Sequence, residues 1–137
     1  MIFLILMLFD KRRHSAFAPI IYNYMSKDCI GTEAAMTINF KLRGNNLEVF
    51  LFGELDESVA VKTRETLNYL IDTYSFSAMV LDLKGVNFLD STGMGVVLGR
   101  YKKLRRLGRG LFLRNVNAQV DKVFATCGLY DIVEKQY

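Results

Sequence analysis

From Met36 onward, apolar and polar positions recur with the periods of strands and helices; before it they do not. Thr37–Leu42 alternates, Arg43-Gly44-Asn45-Asn46 supplies turn residues, and Leu47–Gly53 returns as a second, more apolar strand, which predicts a β-hairpin. Beyond Glu54-Leu55-Asp56, residues Leu67, Leu70, Ile71 and Tyr74 fall at i, i+3, i+4 and i+7 of a helix, leaving Lys62, Arg64 and Glu65 for its other face. Asp56 or Ser58 is placed to cap its start. Ala78–Leu83 is apolar except at Asp82, as a strand covered on both faces would be, and the pleat is expected to carry Asp82 towards a strand end. A short polar connection then leads into a second helix near Asp90-Ser91, with Met94, Val97, Leu98, Tyr101 and Leu104 at helical spacing and Gly108 and Gly110 as its stop. Leu111–Leu113 predicts a short strand. Asn117 predicts the cap of a third helix with the stripe Val120, Val123, Phe124 and Cys127, ended by Gly128, and Ile132-Val133 predicts a last strand.

An opening hairpin followed by alternating helices and strands predicts one α/β domain over 36–137: a mixed sheet, parallel where helices join its strands, with the helices packed on it. Residues 1–35 read as a poorly patterned extension, or as a start taken too early, since Met25 and Met36 are also available. Their apolar run Met1–Phe9 is far shorter than the roughly 20 residues of a membrane-spanning helix. Its basic residues, Lys11-Arg12-Arg13, follow the run instead of preceding it as in a secretion signal.

The composition narrows the chemistry. The chain of 137 residues has one His and two Cys, and His14, Cys29 and Cys127 show no metal-ligand spacing. No metal site or disulfide scaffold is expected, and a reducing cytoplasm is the default. No phosphate-binding glycine loop follows a strand, so no cofactor is expected. Ser91 and Thr92 have no general base placed for them by sequence, and Asp56, Asp82 and Asp90 form no evident acid-base pair; the chain does not read as an enzyme.

Phe88-Leu89-Asp90-Ser91-Thr92-Gly93-Met94-Gly95 is the most informative segment. It sets a hydroxyl in the first turn of a helix, where free N–H groups and the positive dipole end accept negative charge. A phosphate on Ser91 would bring about −1.5 to −2 charges to that position. Gly93 and Gly95 each sacrifice roughly 1 kcal/mol of helix propensity, which suggests a close approach by another backbone. The plainer reading makes Asp90-Ser91-Thr92 an ordinary cap, with glycines that let the helix meet the sheet.

Together with Gly53-Glu54-Leu55-Asp56, Val80-Leu81-Asp82-Leu83 and Phe124-Ala125-Thr126-Cys127-Gly128-Leu129, this segment resembles the STAS domains of bacterial anti-anti-sigma factors. Leu98-Gly99-Arg100-Tyr101-Lys102-Lys103 looks most like the sporulation branch, the antagonists of the anti-sigma F factor. The resemblance implies a regulator whose unphosphorylated form binds an anti-sigma factor that is also a serine kinase, freeing a sigma factor for transcription. It implies that Ser91 is the phosphoacceptor and that a PP2C-type phosphatase restores it. Asp56, Asp90, Thr92, Gly93, Met94 and Gly95 would form the partner-binding surface. A STAS domain can alternatively serve as an accessory subunit of a membrane transporter, a role the apolar N-terminus would suit. The resemblance also implies a terminal helix beyond the last strand, for which Glu134–Tyr137 leave no room.

Seven basic residues, Arg100, Lys102, Lys103, Arg105, Arg106, Arg109 and Arg114, fall within fifteen positions that contain no acid. They read first as a solvated face, then as complementarity to an acidic protein partner. Nucleic acid is not expected, because only Tyr101 and Phe112 lie among them and both occupy apolar positions.

Overall fold

The structure, a computed structural model, describes residues 21–22 and 36–136. The expectations for the apolar run Met1–Phe9, for His14, Cys29 and the alternative start Met25 therefore lie outside the described residues. A short strand β1 (Ile21–Tyr22) comes from the extension and pairs antiparallel with β2 (Thr37–Arg43), Ile21 opposite Asn39. Thus at least these two residues of the segment expected to lack pattern join the sheet. β2 and β3 (Asn46–Leu55) form the predicted hairpin around the two-residue turn Gly44-Asn45.

The rest alternates as predicted: α1 (Glu57–Thr73), β4 (Ala78–Leu89), α2 (Ser91–Arg106), β5 (Gly110–Arg114), α3 (Ala118–Thr126), a 3-10 turn (Leu129–Asp131) and β6 (Glu134–Gln136). Strands β3 to β6 pair in parallel and in sequence order, which with right-handed crossovers places α1, α2 and α3 on one face. The core lies beneath them, built from Leu47, Val49 and Leu51, Met79, Leu81 and Leu83, Leu111 and Leu113 on the strands, closed by Leu67, Leu70, Ile71, Val97, Leu104 and Phe124 from the helices.

Two strand expectations need correction. β4 does not give way to a polar connection after Leu83: it runs on to Leu89, and Val86 and Leu89 are buried. The polar look of Lys84-Gly85 reflects an irregular register, in which Phe50 faces Asp82 but Phe52 faces Gly85. The Phe52 ring lies across Gly85, where an added Cβ would sit 2.3 Å from Phe52 Cδ1. The last strand starts at Glu134, because Leu129–Asp131 take a 3-10 turn that buries Val133 and leaves Ile132 exposed.

The face of the sheet opposite α1, α2 and α3 holds a charged cluster that explains Asp82. Asp82 is mid-strand in β4 but is the last β4 residue paired with β5, opposite Arg114. Arg114 Nε donates to Asp82 Oδ2 at 3.2 Å and Nη1 to Glu48 Oε1 at 2.9 Å; Asn115 Nδ2 donates to Asp82 Oδ2 at 2.9 Å. Burial pushes the Glu48 carboxyl up in pKa, but the hydrogen bond and charge of Arg114, with Arg43 and Lys41, outweigh it and hold Glu48 below its ordinary value. A lowered native pKa gives stability that is present above the unfolded value and is lost as pH falls through the native one. Arg114→Ala leaves two buried carboxylates without their guanidinium, and we expect a loss of about 2 kcal/mol at neutral pH. Denaturant titrations at several pH values should show that difference shrinking at acid pH, as the pH falls through the lowered native pKa of Glu48 and the parent chain loses the pairing with Arg114.

Candidate functional site

Parallel pairing sets the site. Leu55 lies opposite Leu89 at the ends of β3 and β4, so the next residues, Asp56 and Asp90, leave the sheet side by side; the Asp90 N–H donates to the Leu55 carbonyl at 3.4 Å. Each aspartate caps the helix that follows. Asp56 Oδ1 accepts from the Ser58 N–H at 2.9 Å and from the Ser58 hydroxyl, so of the two candidate caps Asp56 acts and Ser58 is held by it. Asp90 Oδ1 accepts from the Gly93 N–H at 2.8 Å. Asp90→Ala is expected to cost about 1 kcal/mol in denaturant titrations and to loosen the turn that carries Ser91.

Ser91 and Thr92 are the first two residues of α2, and both are exposed. Their N–H groups have no partner within the helix, and no acidic residue lies in its first turn. The hydroxyl of Ser91 thus stands at a helix start able to take up negative charge, flanked by the Asp56 and Asp90 loops.

The two glycines differ. Gly93 is buried, and an added Cβ there would stand 2.2 Å from the Leu55 carbonyl oxygen. The backbone in close approach is the chain's own β3, so Gly93 serves the fold and offers little surface to a partner. Gly95 is exposed, with nothing within 4 Å of an added Cβ. Met94 is half-buried and packs on the core, its Sδ 3.6 Å from Cys127 Sγ at the end of α3.

Residues 37–137 match the model of the STAS domain. The anti-sigma F factor antagonist of Paenibacillus polymyxa is 36% identical over 87 residues, which cover 64% of this chain and 74% of that protein. The chain belongs to the STAS-domain family of anti-sigma factor antagonists. The anti-sigma-B factor antagonist of Bacillus subtilis is 31% identical over 99 residues, 72% of this STAS protein and 89% of that one. The unphosphorylated form of the anti-sigma factor antagonist SpoIIAA superposes with a TM-score of 0.63 at 26% identity, over 73% of this chain and 88% of the other. SpoIIAA has also been solved in a phosphorylated form, which matches at 25% identity and a TM-score of 0.57, over 73% of this chain and 91% of the other.

Within this STAS domain the basic run divides between exposed residues and residues tied into the fold. Arg109 Nη1 donates to the Ile71 and Tyr74 carbonyls at 2.9 and 3.3 Å, satisfying the end of α1, and its guanidinium lies 4.6 Å from the Phe76 ring centre. Arg114 is held by Glu48 and Asp82, Lys103 by Asp72 at 2.9 Å, and Arg105 donates to the Tyr101 hydroxyl at 2.9 Å. Arg100 is buried. Lys102, Arg105 and Arg106 stay exposed, as a solvated face requires, whereas Arg100, Arg109 and Arg114 are drawn into the fold. No helix among the described residues is long and apolar enough to cross a membrane.

Proposed function

We propose that the chain antagonises an anti-sigma factor by docking through the surface around Asp56, Asp90, Ser91, Thr92, Met94 and Gly95, and so frees a sigma factor for transcription. In this reading the anti-sigma factor is also a serine kinase, its phosphorylation of Ser91 ends the docking, and a PP2C-type phosphatase restores the binding form in the cytoplasm. The exposed Ser91 hydroxyl at the first position of α2, next to the capping Asp90, carries the reading. It is supported by relatives named as antagonists of anti-sigma F and anti-sigma-B factors and by a structural relative solved in a phosphorylated form.

Incubation of the chain with a candidate anti-sigma kinase and ATP, followed by mass spectrometry, tests it. One phosphate on Ser91 is expected, with none on the Ser91→Ala variant. Absence of modification anywhere, with kinases of both the F and B classes, would overturn the phosphorylation step.

A further inference from the structure

Arg100 lies on the side of α2 that faces α1 and is only 6% exposed. Its Nη1 makes one long hydrogen bond, 3.4 Å, to the Arg64 carbonyl, and its buried Nε has no acceptor. No carboxylate among the described residues forms an ion pair with it. Burial lowers its affinity for the proton first, and the exposed Arg64 guanidinium on α1 lowers it further. One turn beyond Arg64, the buried Asn68 Oδ1 likewise lacks a donor. The same seam shows what a completed pair looks like: one turn along α2, Lys103 Nζ meets Asp72 at 2.9 Å.

A buried charge without its counterion is expensive, and an apolar side chain of similar volume would fill the place more stably. Packing alone therefore does not account for a guanidinium here. An incoming anion would meet two guanidinium groups, one buried and one exposed, and a carboxylate is the anion whose paired oxygens a guanidinium binds best.

We propose that Arg100 and Arg64 form the receptor for an acidic side chain of the docking protein partner, which enters the seam between α1 and α2 and completes the ion pair left open there. The inference rests on the docking reading above and names a second contact for it. Nine residues separate Arg100 from Ser91, about 14 Å along the helix axis, beyond the screening length of roughly 8 Å at physiological salt. The two contacts act independently, so their effects on affinity add.

The test measures affinity for the anti-sigma partner and thermal stability of the same full-length variants. Arg64→Glu supplies the missing carboxylate from within the chain. It is expected to raise the Tm while weakening partner binding tenfold or more. Arg100→Met is expected to keep the Tm at or above that of the parent chain and to weaken binding similarly. Unchanged affinity in both variants, with binding still weakened by Ser91→Asp, overturns the inference and leaves the docking reading intact. A Tm that falls in step with affinity in both variants assigns Arg100 a structural role and also overturns it. If the parent chain binds no anti-sigma factor of either class, the docking reading fails and the receptor with it.

Discussion

Gly93→Ala is expected to destabilise the domain by about 3 kcal/mol, while Gly95→Ala, two residues on, is expected to be neutral or to stabilise it by up to about 1 kcal/mol. At Gly93 the added Cβ meets the Leu55 carbonyl oxygen at 2.2 Å, with Leu55 Cγ at 3.0 Å and Leu89 Cγ at 3.1 Å. A backbone oxygen at the end of a ten-residue strand is not free to move aside. Relief must come from α2, whose first turn would lift away from β3 and strain both the Asp90 cap and the hydrogen bond from the Asp90 N–H to Leu55. The same displacement moves Ser91, so partner binding should fall along with stability. At Gly95 nothing opposes the methyl group, and the helix gains the propensity that glycine withholds. Denaturant midpoints of the two variants check the opposite signs. A Gly93→Ala protein as stable as the parent would show that the α2 start is not wedged against β3.

That contrast marks how far the chain alone can be read. Periodicity located α1, α2 and α3, and the caps Asp56, Asp90 and Asn117 each accept the expected first-turn N–H. These signals are local, and local chemistry suffices to set them. The two glycines gave the same local signal, and only the approach of β3 separates them. The length of β4 was hidden for a similar reason: Gly85 looks like a break until the Phe52 ring is seen to occupy the room it leaves. Arg100 and Arg114 read as surface charge, because a guanidinium looks the same in sequence whether it meets water, a carbonyl or a carboxylate on another strand. The family motifs around Ser91 were legible as a set of separated segments, whereas the charges that surround them had to be placed in three dimensions.

Phosphorylation of Ser91 is expected to weaken binding of the anti-sigma partner by about a hundredfold without unfolding the domain. The first turn of α2 has no acidic residue of its own, so a phosphate there gains the uncommitted N–H groups and the dipole, which offset the repulsion of the capping Asp56 and Asp90 carboxylates, and the phosphorylated chain should stay folded. The loss arises across the interface. Two like charges about 5 Å apart at an effective dielectric near 20 repel by roughly 3 kcal/mol, and each 1.4 kcal/mol is about tenfold in affinity. A single partner carboxylate near Ser91 therefore suffices, before any lost contact is counted. Ser91→Asp carries one charge on a shorter arm and should reproduce most of the loss; Ser91→Ala should bind as the parent does and resist the kinase. Titration calorimetry of the three forms against the partner measures this, and amide shifts report where the phosphate acts. Shifts confined to the starts of α1 and α2 and the ends of β3 and β4 fit local repulsion. Shifts that reach β5 and the Gly44-Asn45 turn, at the opposite end of β3 from Ser91, would mean that the switch works by rearranging the sheet.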